Sequence, residues 1–125
     1  MDYTALTIDD DASARNLFSI ILKRVGFEVL TAEDADDALA QVADITPDVI
    51  LTDISLPGMD GIDLTAELRR REEFAHVPII VLSAFHEDKV VNRAMDAGAD
   101  AFFEKPLKPT HLRETLEELI NARRA

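Results

Sequence analysis

Short apolar runs alternate with longer amphipathic stretches along this chain, and no other feature of the sequence restricts its fold as strongly. The runs at residues 49–51 and 79–82 are apolar throughout or nearly so, a pattern typical of strands that are covered by helices on both faces. In the longer stretches, apolar residues recur at the spacing of a helix. The sequence therefore predicts a parallel sheet in a three-layer α/β domain. The predicted strands are 3–8, 28–32, 49–53, 79–83 and 101–103, and the predicted helices are 12–25, 34–43, 62–70, 88–97 and 109–123.

Length and composition exclude several classes of function. A chain of 125 residues fits one domain. It has no cysteine, which excludes disulfides, thiolate metal sites and a cysteine nucleophile. The formal net charge of −12 would repel the phosphates of nucleic acids, so we expect no nucleic-acid partner for this domain. No apolar run approaches the roughly 20 residues of a membrane span, and the N-terminus lacks a signal peptide's basic start. We therefore expect no membrane partner and a cytoplasmic location.

Chemically reactive side chains follow the predicted strands at the points where four of the strands end. In an open parallel sheet the carboxyl ends of all strands lie at one edge, where ligands bind at the switch in strand order. Residues that are far apart in the chain should therefore meet at that edge. The first strand is followed by Asp9, Asp10 and Asp11, the third ends in Asp53, the fourth ends in Ser83, and the fifth leads to Lys105.

This combination of groups suits phosphoryl transfer. Several carboxylates brought together repel one another unless a cation lies among them. Oxygen ligands without nearby histidine or cysteine select Mg²⁺, with Mn²⁺ as an alternative, over zinc. An aspartate carboxylate can act as nucleophile and form an acyl phosphate. The metal ion and Lys105 would neutralise the phosphoryl oxygens, and Ser83 could donate a hydrogen bond to one of them. Asp11 is better read as the N-cap of the first helix than as a metal ligand.

Four segments occur in order along the chain, each at the end of a predicted strand or leading out of one. They are 8–11 (Ile-Asp-Asp-Asp), 51–61 (Leu-Thr-Asp-Ile-Ser-Leu-Pro-Gly-Met-Asp-Gly), 81–84 (Val-Leu-Ser-Ala) and 98–106, which runs from Gly-Ala-Asp to Lys-Pro. In these segments the chain resembles the response regulator receiver domains of two-component signalling, the CheY-like superfamily. The resemblance covers essentially the whole chain, 1–125, as a single receiver domain. It implies a flavodoxin-like, doubly wound (βα)5 fold with a five-stranded parallel sheet in the order 2-1-3-4-5.

The resemblance also implies a role for individual residues. Asp53 would be the phosphoacceptor and would share in the Mg²⁺ site. Asp10 would bind Mg²⁺ directly, Asp9 would act mainly through water, and the backbone carbonyl of Ser55 would complete the protein ligands. The bond between Lys105 and Pro106 would be cis.

Three residues would form the switch that the resemblance implies. Lys105 would bind the phosphoryl group, and Ser83 would be the switch hydroxyl. Phe102 would be the aromatic residue whose rotamer reports phosphorylation to the surface formed by helix 4, strand 5 and helix 5. Many relatives have threonine in place of Ser83 and tyrosine in place of Phe102. Phe85 is bulky and apolar where an attacking water should approach, so we expect a long-lived acyl phosphate.

The remaining residues that the sequence singles out are expected to have no role in the chemistry. The three histidines have no partner pattern and are predicted to lie on the surface. An apolar stripe on the last helix is predicted to pack on the sheet. The histidines are His76, His86 and His111, and the stripe consists of Leu112, Leu116, Leu119 and Ile120.

The sequence predicts a phosphorylation-operated switch rather than an enzyme that acts on other substrates. The chain has no phosphate-binding G-x-x-x-x-G-K-[ST] loop and no kinase signature. The phosphoryl group should therefore come from a phosphohistidine on a sensor histidine kinase or a histidine phosphotransfer protein. Output should pass by contact to a downstream protein target, with the chain a monomer or weak dimer.

Two alternatives stay open at this point. The chain could be a receiver domain of a larger hybrid kinase or transcription factor. It could also be a small Mg²⁺-dependent phosphatase that uses Asp53 on an exogenous substrate. The second is disfavoured, because no second acid–base carboxylate lies near Asp53 in the sequence and no inserted segment could enclose a substrate.

Overall fold

The computed structural model, which describes residues 3–84 and 87–124, contains five strands that alternate with five α-helices. The strands are β1 (Tyr3–Ile8), β2 (Phe27–Ala32), β3 (Val49–Asp53), β4 (Ile79–Ser83) and β5 (Ala101–Glu104), and the helices are α1 (Ala12–Val25), α2 (Ala35–Val42), α3 (Gly61–Arg69), α4 (Asp88–Ala97) and α5 (Pro109–Arg124). The sheet has the order β2-β1-β3-β4-β5, and every neighbouring pair of strands is parallel. The predicted flavodoxin-like fold is confirmed.

Aspartates and glycines fix the ends of several helices. Asp11, Asp34 and Asp60 have extended backbones, and each side chain accepts a hydrogen bond from a main-chain N–H of the first turn. These bonds satisfy N–H groups that have no partner within a helix. Gly26 and Gly98 end α1 and α4 with φ of 107° and 113°, a left-handed conformation that costs a glycine little. The prediction that Asp11 caps the first helix is confirmed.

The sheet separates two apolar clusters, as the predicted three-layer arrangement requires. Along β1, Leu6 and Ile8 face the cluster on the side of α2, α3 and α4, whereas Ala5 faces the cluster on the side of α1 and α5. Strands β3 and β4 are buried along their whole length. The sheet is therefore covered on both faces, and its reactive residues can meet only where the strands end.

The sequence predicts α1 from the helical spacing of Leu17, Ile20, Ile21 and Val25, and only part of this set faces the core. Leu17 and Ile20 are 53% and 51% exposed. Ile21 is buried and Val25 is half-buried, and Phe18 and Leu22 pack in the same cluster. Phe18 and Leu22, four residues apart, lie on the same face of the helix, and this face points toward the core. Leu17 and Ile20 lie on the adjacent face, which points toward solvent.

The apolar stripe of the last helix and two of the histidines lie where the sequence predicts them. Leu112 and Leu116 are buried, Leu119 and Ile120 are half-buried against the same cluster, and His76 and His111 are exposed. A short 3-10 helix, Glu72–Phe74, was not predicted. Phe85 and His86 lie outside the described residues. Among the described helices, none combines the length and the apolar character that crossing a membrane would require.

Candidate functional site

The register of β1 and β3 brings two aspartates together at the carboxyl edge of the sheet. Ile8 of β1 lies beside Thr52 of β3, and one residue further along each strand come Asp9 and Asp53. Both residues are buried, with Asp9 1% and Asp53 7% exposed over the whole residue. Two carboxylates from different parts of the chain therefore lie at the same edge, largely shielded from water.

The register of β4 and β5 adds a hydroxyl and an ammonium to this edge. Asp53 lies beside Leu82, so Ser83 ends β4 one residue further along. Ser83 lies beside Glu104, the last residue of β5, and Lys105 follows directly. The Lys105 main-chain N–H donates to the Ser83 carbonyl at 2.8 Å, which continues the ladder past the end of β5.

Three carboxylates form a group that is small enough to surround one cation. Asp9, Asp10 and Asp53 each offer one oxygen, and these oxygens all lie within 4.8 Å of one another. Asp10 is exposed, in contrast to its two neighbours. Like charges at such separations repel strongly in a buried setting. The group therefore requires a neighbouring positive charge.

Lys105 supplies a positive charge from the protein itself. Its Nζ lies 2.9 Å from Oδ2 of Asp9 and 3.5 Å from Oδ1 of Asp53. The lysine side chain is 25% exposed, so most of it is shielded from solvent. The peptide bond from Lys105 to Pro106 is cis, as the resemblance implied.

The protonation equilibria at the site reflect this mixture of burial and charge. Burial raises the pKa of Asp53; the attraction of Lys105 lowers it, but the charges of Asp9 and Asp10 raise it further, and the net shift is upward. For Lys105, burial opposes the charged form. The hydrogen bond to Asp9 and the charge of Asp53 outweigh that effect, so the pKa of Lys105 is raised. The ammonium therefore stays charged at neutral pH, whereas ionising Asp53 costs free energy.

The turn after β1 is held by a set of hydrogen bonds around Asp9. The main-chain N–H of Asp9 donates to the Ala32 carbonyl at 3.1 Å, and its Oδ1 accepts from the Asp11 N–H at 3.0 Å. Arg15, from the first turn of α1, donates from Nη1 to the Asp9 carbonyl at 2.6 Å. Arg15 was not predicted to contribute to the site.

The loop after β3 returns to pack against the strand that carries Asp53. The Gly61 N–H donates to the Ile54 carbonyl at 2.9 Å, and a Cβ at Gly61 would collide with the Asp53 carbonyl group. Only glycine permits this approach of backbone to backbone. Ser55, two residues past Asp53, is exposed at the start of the loop.

Of the predicted switch residues, Ser83 is buried and Phe102 is half-buried. The Phe102 ring packs at the margin of the apolar cluster on the side of α2, α3 and α4. Phe85, which we expected to slow hydrolysis, lies outside the described residues.

One residue of the quoted motifs lies elsewhere in the fold. Asp100 precedes β5, at the amino edge of the sheet. Its Oδ2 accepts from the Ile79 N–H at 2.8 Å and pairs with the Arg69 guanidinium at 2.8 Å. Arg69 also donates to the Gly98 carbonyl. Asp100 is therefore part of a structural contact between α3, α4 and β5.

The donor set fits a hard divalent cation. The carboxylates of Asp9, Asp10 and Asp53 supply only oxygen, which suits Mg²⁺ or Mn²⁺ rather than zinc. Lys105 contacts two of these carboxylates directly, so the protein itself compensates part of their negative charge.

Residues 5–117 match the response regulator receiver domain family. The chain therefore belongs to this family, whose members are signalling switches of two-component systems.

Two sequence relatives and one solved structure show the range of proteins in which such domains occur. The phosphate regulon transcriptional regulatory protein PhoB of Pseudomonas aeruginosa is 37% identical over 94% of this chain and 51% of its own length. The DNA-binding response regulator MtrA of Mycobacterium tuberculosis is 38% identical over 86% of this chain and 46% of its own. The receiver domain of the sensor histidine kinase PA1611 from P. aeruginosa, with a magnesium ion coordinated in its active-site cleft, has 27% identity and a TM-score of 0.88. It covers 97% of this chain, and the match covers 99% of that domain.

The chain spans about half the length of these curated relatives. PhoB is described as a transcriptional regulator and MtrA as DNA-binding. The expectation that nucleic acid is no partner rests on the charge of these 125 residues alone, and the relatives give it no support.

Proposed function

We propose that residues 1–125 act as one receiver domain that accepts a phosphoryl group on Asp53 and thereby switches a protein-binding surface. The observation that carries this proposal is the position of the Lys105 ammonium, 2.9 Å from Asp9 and 3.5 Å from Asp53 at the carboxyl edge of the sheet. A nucleophilic carboxylate, further carboxylates and a fixed cation are the groups that phosphoryl transfer requires.

In the proposed reaction, a carboxylate oxygen of Asp53 attacks the phosphorus of a phosphohistidine on a sensor histidine kinase or a phosphotransfer protein. An O–P bond forms and the P–N bond breaks. The imidazole nitrogen leaves with the electron pair. The product is an acyl phosphate on Asp53, and no other co-reactant is needed.

Asp10, Asp53 and the backbone carbonyl of Ser55 are the proposed direct Mg²⁺ ligands, Asp9 is proposed to act mainly through water, and Mn²⁺ is a suitable substitute. The metal ion, when bound, supplies positive charge to the phosphoryl oxygens. The magnesium ion in the cleft of the PA1611 receiver domain supports this assignment.

Lys105 is proposed to change partners during the reaction. In the unphosphorylated domain it binds Asp9 and Asp53. A phosphoryl group adds about two negative charges, and these would draw Lys105 and the Ser83 hydroxyl toward it. Phe102, which is half-buried at the margin of the core, would then fill the space that Ser83 vacates. The surface of α4, β5 and α5 would carry the signal to a downstream protein.

A second role is favoured by the length of the relatives. Because PhoB and MtrA are about twice as long as this match, the same switch could serve as the regulatory part of a longer transcription factor. In that case the partner of the α4–β5–α5 surface would be another domain of the same protein or a second copy of the receiver.

The proposal is tested by incubating the protein with acetyl phosphate and Mg²⁺ and measuring its intact mass. We expect a phosphoryl-sized mass gain that is absent in Asp53→Asn and abolished by a chelator. Asp60→Asn is the matched control, since it removes the same charge nearby but keeps the α3 cap. A mass gain in Asp53→Asn equal to that of the unmodified protein would overturn the proposal.

A further inference from the structure

Arg15 has an unusual position for a cation. It lies in the first turn of α1, directly after the capped end, and this turn contains no acidic residue. The N-terminus of a helix carries partial positive charge, which favours acidic side chains and disfavours arginine. Arg15 is half-buried, and its side chain runs back toward the N-terminus, where Nη1 meets the Asp9 carbonyl at 2.6 Å. Arg15 therefore lies in the unfavourable positive potential of a helix N-terminus, and its guanidinium donates a hydrogen bond to a main-chain carbonyl at the edge of the site.

This contact completes the hydrogen bonding of Asp9. The Asp9 N–H donates to Ala32, its Oδ1 accepts from the Asp11 N–H, and its Oδ2 accepts from Lys105. Arg15 binds the remaining acceptor, the carbonyl oxygen. That carbonyl belongs to the peptide unit that joins Asp9 to Asp10. Fixing its direction therefore fixes the direction in which the backbone of Asp10 leaves the strand.

Asp10 depends on the main chain more than its neighbours do. Its side chain is exposed, so packing contributes little to hold it. Its carboxylate nevertheless belongs to a group of three whose oxygens lie within 4.8 Å of one another, and repulsion among them pushes the turn outward. Lys105 opposes this movement through its contacts with Asp9 and Asp53. Among the described residues, the ion pairs of Lys105 are with Asp9 and Asp53 and not with Asp10.

We propose that Arg15 is a positioning residue, which holds the peptide between Asp9 and Asp10 through its hydrogen bond to the Asp9 carbonyl and keeps both carboxylates ready to bind Mg²⁺. The inference rests on the proposed function and deepens it, because it names the group that pre-arranges the metal ligands. Partners of this kind orient ligands that they do not replace.

Positioning and simple electrostatics predict opposite results when Arg15 is removed. A positive charge beside a cation site weakens cation binding, so losing it through charge alone would tighten Mg²⁺ binding. If Arg15 holds the ligands in place, losing it weakens Mg²⁺ binding. The sign of the change therefore separates the two explanations.

The variants are Arg15→Met, which keeps the apolar stem and loses the donor, and Arg15→Lys, which keeps the charge without the planar fork. Arg24→Met is the matched control, because Arg24 is an exposed arginine at the other end of α1. Mg²⁺ affinity is measured by isothermal titration calorimetry without a phosphoryl donor. We expect Kd to rise about tenfold in Arg15→Met and about threefold in Arg15→Lys, with no change in Arg24→Met. An unchanged or lower Kd in Arg15→Met would overturn the inference; if that variant does not fold, an unchanged Kd in Arg15→Lys would do so.

A second measurement needs no metal ion. The Asp11 N–H donates to Asp9 Oδ1, so its hydrogen exchange reports whether the turn is held. We expect faster exchange at Asp11 in Arg15→Met and unchanged exchange at Leu51 in the centre of the sheet. Equal exchange rates at Asp11 in Arg15→Met and in the unmodified protein would refute the positioning role. If the unmodified protein does not bind Mg²⁺, the metal site of the proposed function fails, while the exchange at Asp11 still decides the role of Arg15.

Discussion

Replacing Lys105 by methionine removes the protein's own cation from the cluster of three carboxylates, and we expect the folded state to lose stability. The ammonium lies 2.9 Å from Asp9 and 3.5 Å from Asp53, whose side chains are only 2% and 9% exposed. Removing one partner of a buried ion pair costs about 3–5 kcal/mol. Because a quarter of the Lys105 side chain is exposed, solvent screens part of this, and we expect about 2–3 kcal/mol.

Urea unfolding at pH 7 without Mg²⁺ is the appropriate assay. With a urea dependence of about 1–3 kcal/mol per molar, the midpoint of Lys105→Met should fall by about 0.7–3 M. The raised pKa of Lys105 means that its stabilisation is complete at neutral pH and is lost only as the pH rises through that raised value. Millimolar Mg²⁺ should restore part of the lost stability, because a bound metal ion would offset the same repulsion among the carboxylates.

Lys89→Met is the control, because Lys89 is exposed on α4 and away from the carboxylates. Its midpoint should match that of the unmodified protein. Two results would refute the proposed repulsion among the three carboxylates. One is equal stability of Lys105→Met and the unmodified protein at pH 7, and the other is equal stabilisation of these two proteins by Mg²⁺.

Three further substitutions test other parts of the account. Asp53→Asn should raise stability at pH 7, because the raised pKa of Asp53 means that ionising it disfavours the folded state. That gain should vanish as the pH falls through the raised pKa toward the ordinary carboxyl value, which urea unfolding across pH would reveal; a gain that is constant with pH would contradict it. Gly61→Ala should cost about 3 kcal/mol or more, because the new Cβ meets the backbone of Asp53 and Ile54, and it should slow phosphorylation by acetyl phosphate in whatever fraction stays folded. Normal stability would show that the loop can move away. Thr7→Val should raise the free energy of unfolding by about 1 kcal/mol, because the buried Thr7 hydroxyl has no hydrogen-bond partner among the described residues; a loss of stability would indicate a partner that this account lacks.

The strands and the convergence of the site could be predicted because both depend on local pattern. Short apolar runs identify covered strands, and in a parallel sheet the residue after each run must reach the same edge. The meeting of Asp9, Asp53 and Lys105 therefore follows from strand ends alone, and in the structure Lys105 lies within ion-pairing distance of both aspartates. Their chemical roles are proposals that only experiment tests.

The contacts that depend on three-dimensional detail were not predictable. The bond from Arg15 to the Asp9 carbonyl depends on the direction of a long side chain, for which the sequence contains no signal. Gly61 could be read only as a loop residue, because its close approach to Asp53 depends on how the loop returns to β3. Leu17 and Ile20 fit a helical apolar pattern, but the sheet accepts only the neighbouring face of α1.

The central claim is that Asp53 itself receives the phosphoryl group. Borohydride reduces an acyl phosphate on aspartate to homoserine, so treating the phosphorylated protein and sequencing its peptides by mass spectrometry identifies the modified residue directly. We predict homoserine at position 53, dependent on both the phosphoryl donor and Mg²⁺. Homoserine at position 9 or 10 instead, or at no aspartate of a protein that has gained phosphoryl mass, would contradict the account.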